Sequence, residues 1–578
     1  MTVQESFVRL LASHGKNDVR NRLNGLSQTC GEKYLQQIYQ INKGETMNTA
    51  KKTRRDFLKT LSLGAASLVV LGCSDVYGKK KPHSNKLTKD SRPNILYIMS
   101  DDHTATAIGS YGTRLAKITP TKNIDRLAKD GMLLENVFCT NSICTPSRAT
   151  ILTGQYSQAN EVLTLNDRLK PENQYLPKLM KKAGYTTAMI GKWHLKEEPA
   201  SFDYYNVLPG QGKYHNPTFY ETGDTWEKNP KKHTGHSSDV ITDISLKWLD
   251  SRDKTKPFFL MHHFKAPHDM FKNAHRFDSL FEDVDIPEPE NLWITPVHHS
   301  AATKGMGTSV SRRCKSRNMG KSLKIDKTLT DKEYTHQAYQ LYLKRYLRCV
   351  AGVDENVGRL LDYLTKENLL DNTIIIYTAD QGFMLGEHDY IDKRWMYEES
   401  LRMPFIVRYP KMIKKGQRSD EIVNNTDFAP TILDLAGAKA PGYMHGKSIV
   451  PILEGKTPSG WRKSTYYRYW QHMAHHRNPS HFGVRTKQYK LIFFYGCSYR
   501  TVRKSKKDKK IYPKTQPGWE LYDIKKDPTE MNNLYGNPKY ASVIKELKNE
   551  LLSIRKKYNE TDEKYPHIQK IIDEYWDK

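Results

Sequence analysis

Two acidic pairs and one cysteine carry the residue types that could do chemistry. The apolar run ILYIM (95–99) ends in Asp101-Asp102, and the run TIIIYTA (373–379) ends in Asp380-Gln381. Three carboxylates and an amide oxygen make an all-oxygen donor set, which suits a hard divalent cation such as calcium or magnesium. Either pair alone reads more readily as a turn or a helix cap. Two such pairs, each where an apolar run switches to a loop, favour the metal. Residues 142–154 read SICTPSRATILTG. Pro146 suits the first helical position with Thr145 as cap, which places Cys144 just ahead of a helix N-terminus. There the helix dipole favours an anion, either a thiolate or a bound sulfate or phosphate. Arg148, one turn further on, can fold back onto the same anion. A packed cysteine, or a disulfide to Cys139, accounts for Cys144 as well.

These residues need elements to position them. The runs ILYIM, TTAMI, PFFLMHHF, TIIIYTA and PFIVRY alternate with helical patterns over residues 122–130, 174–183, 237–250 and 334–365. That alternation predicts an α/β domain over residues 93–450, a mainly parallel mixed sheet sandwiched by helices. In such a sheet ligands sit beyond the carboxyl ends of the strands, where both acidic pairs fall. Over residues 451–578 the character changes. TYYRYW, HFGVRT, YKLIFFY and WELYDI predict antiparallel strands, followed by a helix over 538–558, together a smaller α+β subdomain. The basic, turn-rich residues 295–330 read as a long surface insertion near the substrate, and residues 500–511 as a solvated hairpin loop.

The chain has 578 residues and a net charge of +28, which points to an anionic partner: nucleic acid, an acidic membrane surface or an acidic glycan. Zinc-finger spacing, an aromatic RNP pattern and a basic region with heptads are all lacking, so no nucleic-acid partner is expected. The 7 cysteines include no CxxC pair, which argues against a disulfide scaffold or a structural zinc. Residues 53–73, TRRDFLKTLSLGAASLVVLGC, read as a twin-arginine export signal whose apolar stretch is too short to span a bilayer. Its end resembles a lipoprotein box with Cys73 as the lipidated residue. The expected plan is therefore an upstream extension foreign to the native product (1–46), the signal (47–73, with Met47 as the start) and a linker (74–92). The mature protein is expected outside the cytoplasm, periplasmic or on the outer surface. Its partners would include the twin-arginine export machinery and, through the lipid anchor, a membrane.

The stretch Cys144-Thr145-Pro146-Ser147-Arg148, followed by Ile151-Leu152-Thr153-Gly154, resembles the signature of the formylglycine-dependent type I sulfatases of the alkaline phosphatase superfamily. Other marks of that family follow in order: PNILYIMSDD (93–102), GKWHL (191–195), KAPH (265–268), TADQGFMLGEH (378–388), IDKRWMYE (391–398) and the close WELYDIKKDPTEMNNL. The resemblance implies an alkaline phosphatase-like fold and a formylglycine made from Cys144 by a dedicated maturation enzyme. It implies calcium (Ca2+) bound by Asp101, Asp102, Asp380, Gln381 and residue 144. Arg148, Lys192, His194, His268 and Lys393 are implied as catalytic. The hydrated formylglycine attacks sulfur, His268 protonates the leaving oxygen, Lys192 and Lys393 neutralise sulfate, His194 takes the proton that expels it, and Arg148 orients the diol oxygen. Gln381 departs from the Asn or His of many members but remains an oxygen donor. KAPHDMF, FEDVDIPEPENLW and DQGFMLGEHDYIDKRWMYEESLRMPF are most similar to bacterial N-acetylglucosamine-6-sulfatase-like polysaccharide sulfatases. That implies a sulfated, glycosaminoglycan-type carbohydrate as substrate, with His481 and Arg485 lining the cleft. A phosphodiesterase or phosphonate monoester hydrolase of the same superfamily, or a non-catalytic glycan-binding relative, are the alternatives.

Overall fold

The computed structural model describes residues 92–294, 300–501 and 511–578. Its central sheet has eleven strands. Seven of them carry the argument: β1 (Asn94–Asp101), β2 (Met132–Phe138), β3 (Thr186–Lys192), β4 (Tyr204–Leu208), β5 (Phe258–Pro267), β6 (Thr373–Ala379) and β7 (Arg402–Arg408). Every residue of β1 is buried. Alternate side chains of a strand point to opposite faces. Thus Ile95, Tyr97 and Met99 enter one core and Leu96 and Ile98 the other, so the sheet must be covered on both sides. Strands β4, β3, β5, β1 and β6 run parallel in that order. Strand β7 is antiparallel to both β6 and β2.

Helices meet both faces. Helices α1 (Lys122–Lys129), α4 (Ser237–Ser251) and α5 (Asp331–Lys366) cover the face of Leu96, through Ile124, Leu127, Ile241, Leu249, Leu343 and Val350. Helices α2 (Cys144–Thr153) and α3 (Tyr175–Lys182) cover the face of Tyr97, through Ala149, Leu152, Leu176 and Met180. A capping box of Thr330 and Glu333 starts the 36-residue α5.

The second sheet is antiparallel, in the order β8 (Ser464–Tyr469), β9 (His481–Thr486), β10 (Tyr489–Phe494) and β11 (Gly518–Asp523). One face, with Tyr466, Phe482, Leu491 and Phe493, packs on Leu547 and Leu551 of α6 (Ala541–Lys557). The other, with Tyr467, Ile492 and Phe494, packs on Trp395 and Tyr397 from the long connection between β6 and β7.

Two expectations change. The described part of the basic segment at 300–330 is not a surface insertion throughout. It forms short helices at Val310–Lys315 and Arg317–Leu323, and it buries Val310 and Cys314 in the same core as α5. Its guanidinium at Arg313 reaches the Asp269 carboxylate. Apolar residues at 310 and 314, one helical turn apart, explain why it packs. Cys139 and Cys144 form no disulfide; both are free and buried. The extension, signal, Cys73 and linker, and residues 502–510 of the expected hairpin loop, lie outside the described residues.

Candidate active site

The parallel register gathers the chemistry at one edge. Ser100 lies opposite Ala379 and Asp101 opposite Pro267, so Asp101-Asp102, Asp380-Gln381 and His268 leave three neighbouring strands at the same level. Lys192 ends β3 beside them. Asp102 turns out of its strand with φ 68°, a left-handed conformation that aspartate tolerates better than most residues. Gly382 follows Gln381 where the Glu399 carbonyl leaves no room for a Cβ, which presses the metal-strand loop against the next segment.

Helix α2 delivers the cysteine, in a different way from the one expected. Cys144 is its first residue and Ile143 its N-cap, with no side-chain cap. Thr145 instead donates its hydroxyl to the His194 carbonyl at 3.0 Å, tying the helix start to the loop after β3. The Cys144 sulfur lies 3.4 Å from Asp101 Oδ1 and 3.9 Å from Gln381 Nε2. Burial pushes the Cys144 thiol up to about 12, with Asp380 and Asp102 adding to it against Lys393. The expectation that the helix terminus lowers this thiol meets an opposing effect: full burial raises it.

Each carboxylate has a cation. Arg148 donates through Nε to Asp380 Oδ2 at 3.0 Å, with Nη2 ion-paired to the same oxygen at 2.9 Å, and through Nη1 to the Lys192 carbonyl at 2.6 Å. Lys192 is ion-paired with Asp101 and lies 2.5 Å from Gln211 Oε1. Lys393 donates to Asp102 Oδ2 at 2.6 Å. Burial lifts the Asp102 carboxyl to about 6, against Lys393 and with Asp380. Burial and the neighbouring cations hold His194 and His268 well below the ordinary imidazole range, so both are neutral in this arrangement. His268 Nδ1 faces two acceptors, the Asp269 carbonyl at 2.6 Å and carboxylate at 2.9 Å, and therefore carries the proton. Its Nε2 points to the site, 3.7 Å from Asp102 Oδ2.

The donor set fits a divalent cation. Oxygens of Asp101, Asp102 and Asp380 all lie within 4.8 Å of one another. Gln381 Oε1 is buried and accepts no hydrogen bond. An orphaned amide oxygen beside three carboxylates is a donor set for a hard cation rather than for zinc.

A family model described as Sulfatase matches residues 93–438. The chain belongs to the sulfatase family. It is an enzyme that hydrolyses sulfate esters. A second model, N-sulphoglucosamine sulphohydrolase, C-terminal, matches residues 386–557 of this sulfatase. The N-acetylglucosamine-6-O-sulfatase of Bacteroides thetaiotaomicron is 40% identical over 549 residues, 87% of this chain and 92% of that protein. The N-acetylglucosamine-6-sulfatase of Homo sapiens is 28% identical, over 70% of each. A solved structure in complex with its substrate D-glucosamine-2-N,6-O-disulfate superposes with a TM-score of 0.73 at 39% identity, covering 82% of this chain and 99% of that one. A phosphonate monoester hydrolase from Silicibacter pomeroyi has a TM-score of 0.61 at 19% identity, over 81% and 96%, a likeness of fold alone.

All ten residues named for the centre of this sulfatase's site meet there; the two named for the cleft do not. His481 is fully buried, stacked on Tyr467 at 5.5 Å and packed on Phe494 at 4.8 Å between ring centroids. It is a core residue of the second sheet. Arg485 is also buried and forks onto Glu398, with two donors at 3.1 Å each. Strand alternation sends the two side chains to wherever the sheet's faces pack, which motif similarity does not reveal. Sequence reasoning missed several neighbours. Asp392, Arg394 and His476 cluster beside Lys393, with Arg394 Nε 2.8 Å and His476 Nδ1 3.6 Å from Asp392 Oδ2. Asp392 and Arg394 have φ 117° and 93°, a strained backbone that draws attention to them. Lys265, three residues before His268, is the other omission. Asp392, Arg394 and Lys265 lay inside quoted motifs, IDKRWMYE and KAPH, where a buried charge was the available signal, whereas His476 lay outside them.

Proposed function

We propose that this sulfatase removes the 6-O-sulfate of a glucosamine-type unit in a sulfated, glycosaminoglycan-type carbohydrate, using calcium and a formylglycine formed from Cys144 by a maturation enzyme. The observation that carries it is the convergence of Cys144, three carboxylates, Lys192, Lys393 and two neutral histidines at one strand edge. The names of the 40%-identical relative and of the disulfated-glucosamine complex support the sugar. Asp101, Asp102, Asp380 and Gln381 would hold the calcium, which would supply positive charge to the sulfate and acidity at residue 144.

The chain's own residues do the rest. Lys192 and Lys393 neutralise the sulfate as charge shifts toward the leaving oxygen. His268 presents Nε2 to that oxygen with its other nitrogen fixed by Asp269; burial and the neighbouring ammonium groups hold the ring neutral, and the incoming anion offsets the latter, so it can carry the proton it donates. His194 Nδ1 is buried without a partner and can accept a proton at residue 144. Arg148 holds Asp380 in place, a positioning role. Asp392, Arg394 and His476 offer one acceptor and several donors for sugar hydroxyls. Export through the twin-arginine machinery and lipid attachment at Cys73 belong to the same proposal and rest on residues 53–73.

Protein co-produced with a formylglycine-generating enzyme should release sulfate from 6-O-sulfated N-acetylglucosamine. It should act far more slowly on galactosamine 4-sulfate and on an aryl phosphodiester. Cys144→Ala should lose turnover by at least ~1000-fold. Faster phosphodiester cleavage, or activity surviving in Cys144→Ala, would overturn the proposal.

A further inference from the structure

Four cations face the three carboxylates of the site. Arg148, Lys192 and Lys393 each take one, namely Asp380, Asp101 and Asp102. Lys265 takes none: among the described residues its ammonium has no carboxylate or hydrogen-bond acceptor. It is nevertheless only 4% exposed, in β5 three residues before His268. Its one described contact is the ring of Tyr214, 4.7 Å from ammonium to centroid. Tyr214 is itself fixed, because its hydroxyl donates to the His268 carbonyl. The ammonium is thus held on an aromatic face beside the histidine rather than left to swing. Lys265 lies in the strand that leads directly to His268, and its charge acts on Asp102 and Cys144 of the site as well as on Cys349 of α5.

A buried ammonium without a counter-charge is costly, and a ring face returns only part of what water supplied. A purely structural site would be better served by methionine of similar length. The lysine makes sense if its counter-charge arrives with the substrate. We infer that Lys265 is a further anion-binding residue of this active site and takes an oxygen of the sulfate ester itself. This rests on the proposed sulfate-ester hydrolysis and adds a third ammonium to Lys192 and Lys393. The division of labour is physical. Lys192 and Lys393 are bound to carboxylates before substrate arrives, whereas Lys265 has no bond to give up.

The test uses the matured, calcium-loaded protein and its Lys265→Met and Lys265→Arg variants. Measured quantities are kcat, KM, inhibition by inorganic sulfate, and Tm without sulfate. Lys265→Met should lower kcat/KM roughly 10–100-fold and weaken sulfate inhibition by about tenfold. Its Tm should equal or exceed that of the native protein, since an unpaired buried charge is gone. Lys265→Arg should recover part of both losses. Unchanged kcat/KM and sulfate inhibition in Lys265→Met overturn the inference alone. So does a loss of activity with a lowered Tm and unchanged sulfate inhibition, which marks a packing role. A native protein that neither releases nor binds sulfate overturns the proposed function, and this inference with it.

Discussion

Cys144 and His481 show how far a residue's surroundings decide what it does. Cys144 stands at a helix start, a place that by itself stabilises a thiolate. Full burial beside Asp101, Asp102 and Asp380 makes the thiol a very weak acid instead. A thiol with this environment is poorly suited to act as a nucleophile, which agrees with the proposal that it is the precursor of a formylglycine. His481 was expected against substrate and lies in an aromatic stack, its Nε2 buried without a partner and its Nδ1 2.8 Å from the Pro479 carbonyl. Replacing it by phenylalanine removes one hydrogen bond worth about 1 kcal/mol and keeps the ring. His481→Phe should therefore retain kcat/KM within about threefold, with a slightly lowered Tm. A large loss of kcat/KM at unchanged Tm would return His481 to the substrate.

Among elements, the joint between the β6–β7 connection and the second sheet is the most exposed to a single change. Glu398 at its centre is buried and receives Arg485 from β9 and Lys490 from β10, the latter at 2.9 Å. Lys490 also binds Glu530 at 2.7 Å, and Glu530 accepts from the Glu398 backbone at 2.7 Å. Burial opposes the Glu398 charge, but Arg485 and Lys490 outweigh it and hold the carboxyl well below the carboxylate range. Removing one partner of a buried pair leaves the other charge stranded, at a cost of about 3–5 kcal/mol. Arg485→Ala should lower the urea midpoint accordingly, while kcat/KM per folded molecule stays near the native value because Arg485 does not reach Cys144. A selective loss of kcat/KM with native stability would restore its assignment to the cleft.

For the whole molecule, the three carboxylates proposed to hold the cation link site and fold. The adjacent Asp101 and Asp102 are held beside Asp380, which lies 278 positions beyond Asp102 in the chain, by the β1–β6 ladder. A bound cation stabilises the folded state by mass action, about 2.7 kcal/mol at one hundred times its dissociation constant. Chelation of the matured enzyme should abolish turnover and lower Tm by several degrees. Calcium should restore both, and zinc, a poor match for an oxygen-only set, should not. Unchanged Tm and activity after verified metal removal would dismiss the oxygen site as a metal centre.

The sequence alone determined what depends on neighbours in the chain. Apolar runs too continuous for a one-sided strand required helices on both faces of a parallel sheet, and a parallel sheet places polar residues at its strand ends. Asp101, Asp102, Asp380 and Gln381 were legible for that reason, and Cys144 and Arg148 because they share one helical turn; Lys192, His194, His268 and Lys393 were legible only through the resemblance of GKWHL, KAPH and IDKRWMYE to family motifs. Tertiary structure decided what depends on surroundings: which cation serves which carboxylate, that Lys265 serves none, that Arg313 reaches Asp269, and that His481 and Arg485 turn inward. Those outcomes follow from desolvation and from contacts between distant segments, and neither is written in local spacing. Burial strengthens a charge pair and penalises a lone charge, so the same residue type becomes brace, ligand or anion-binder only after the chain has closed around it.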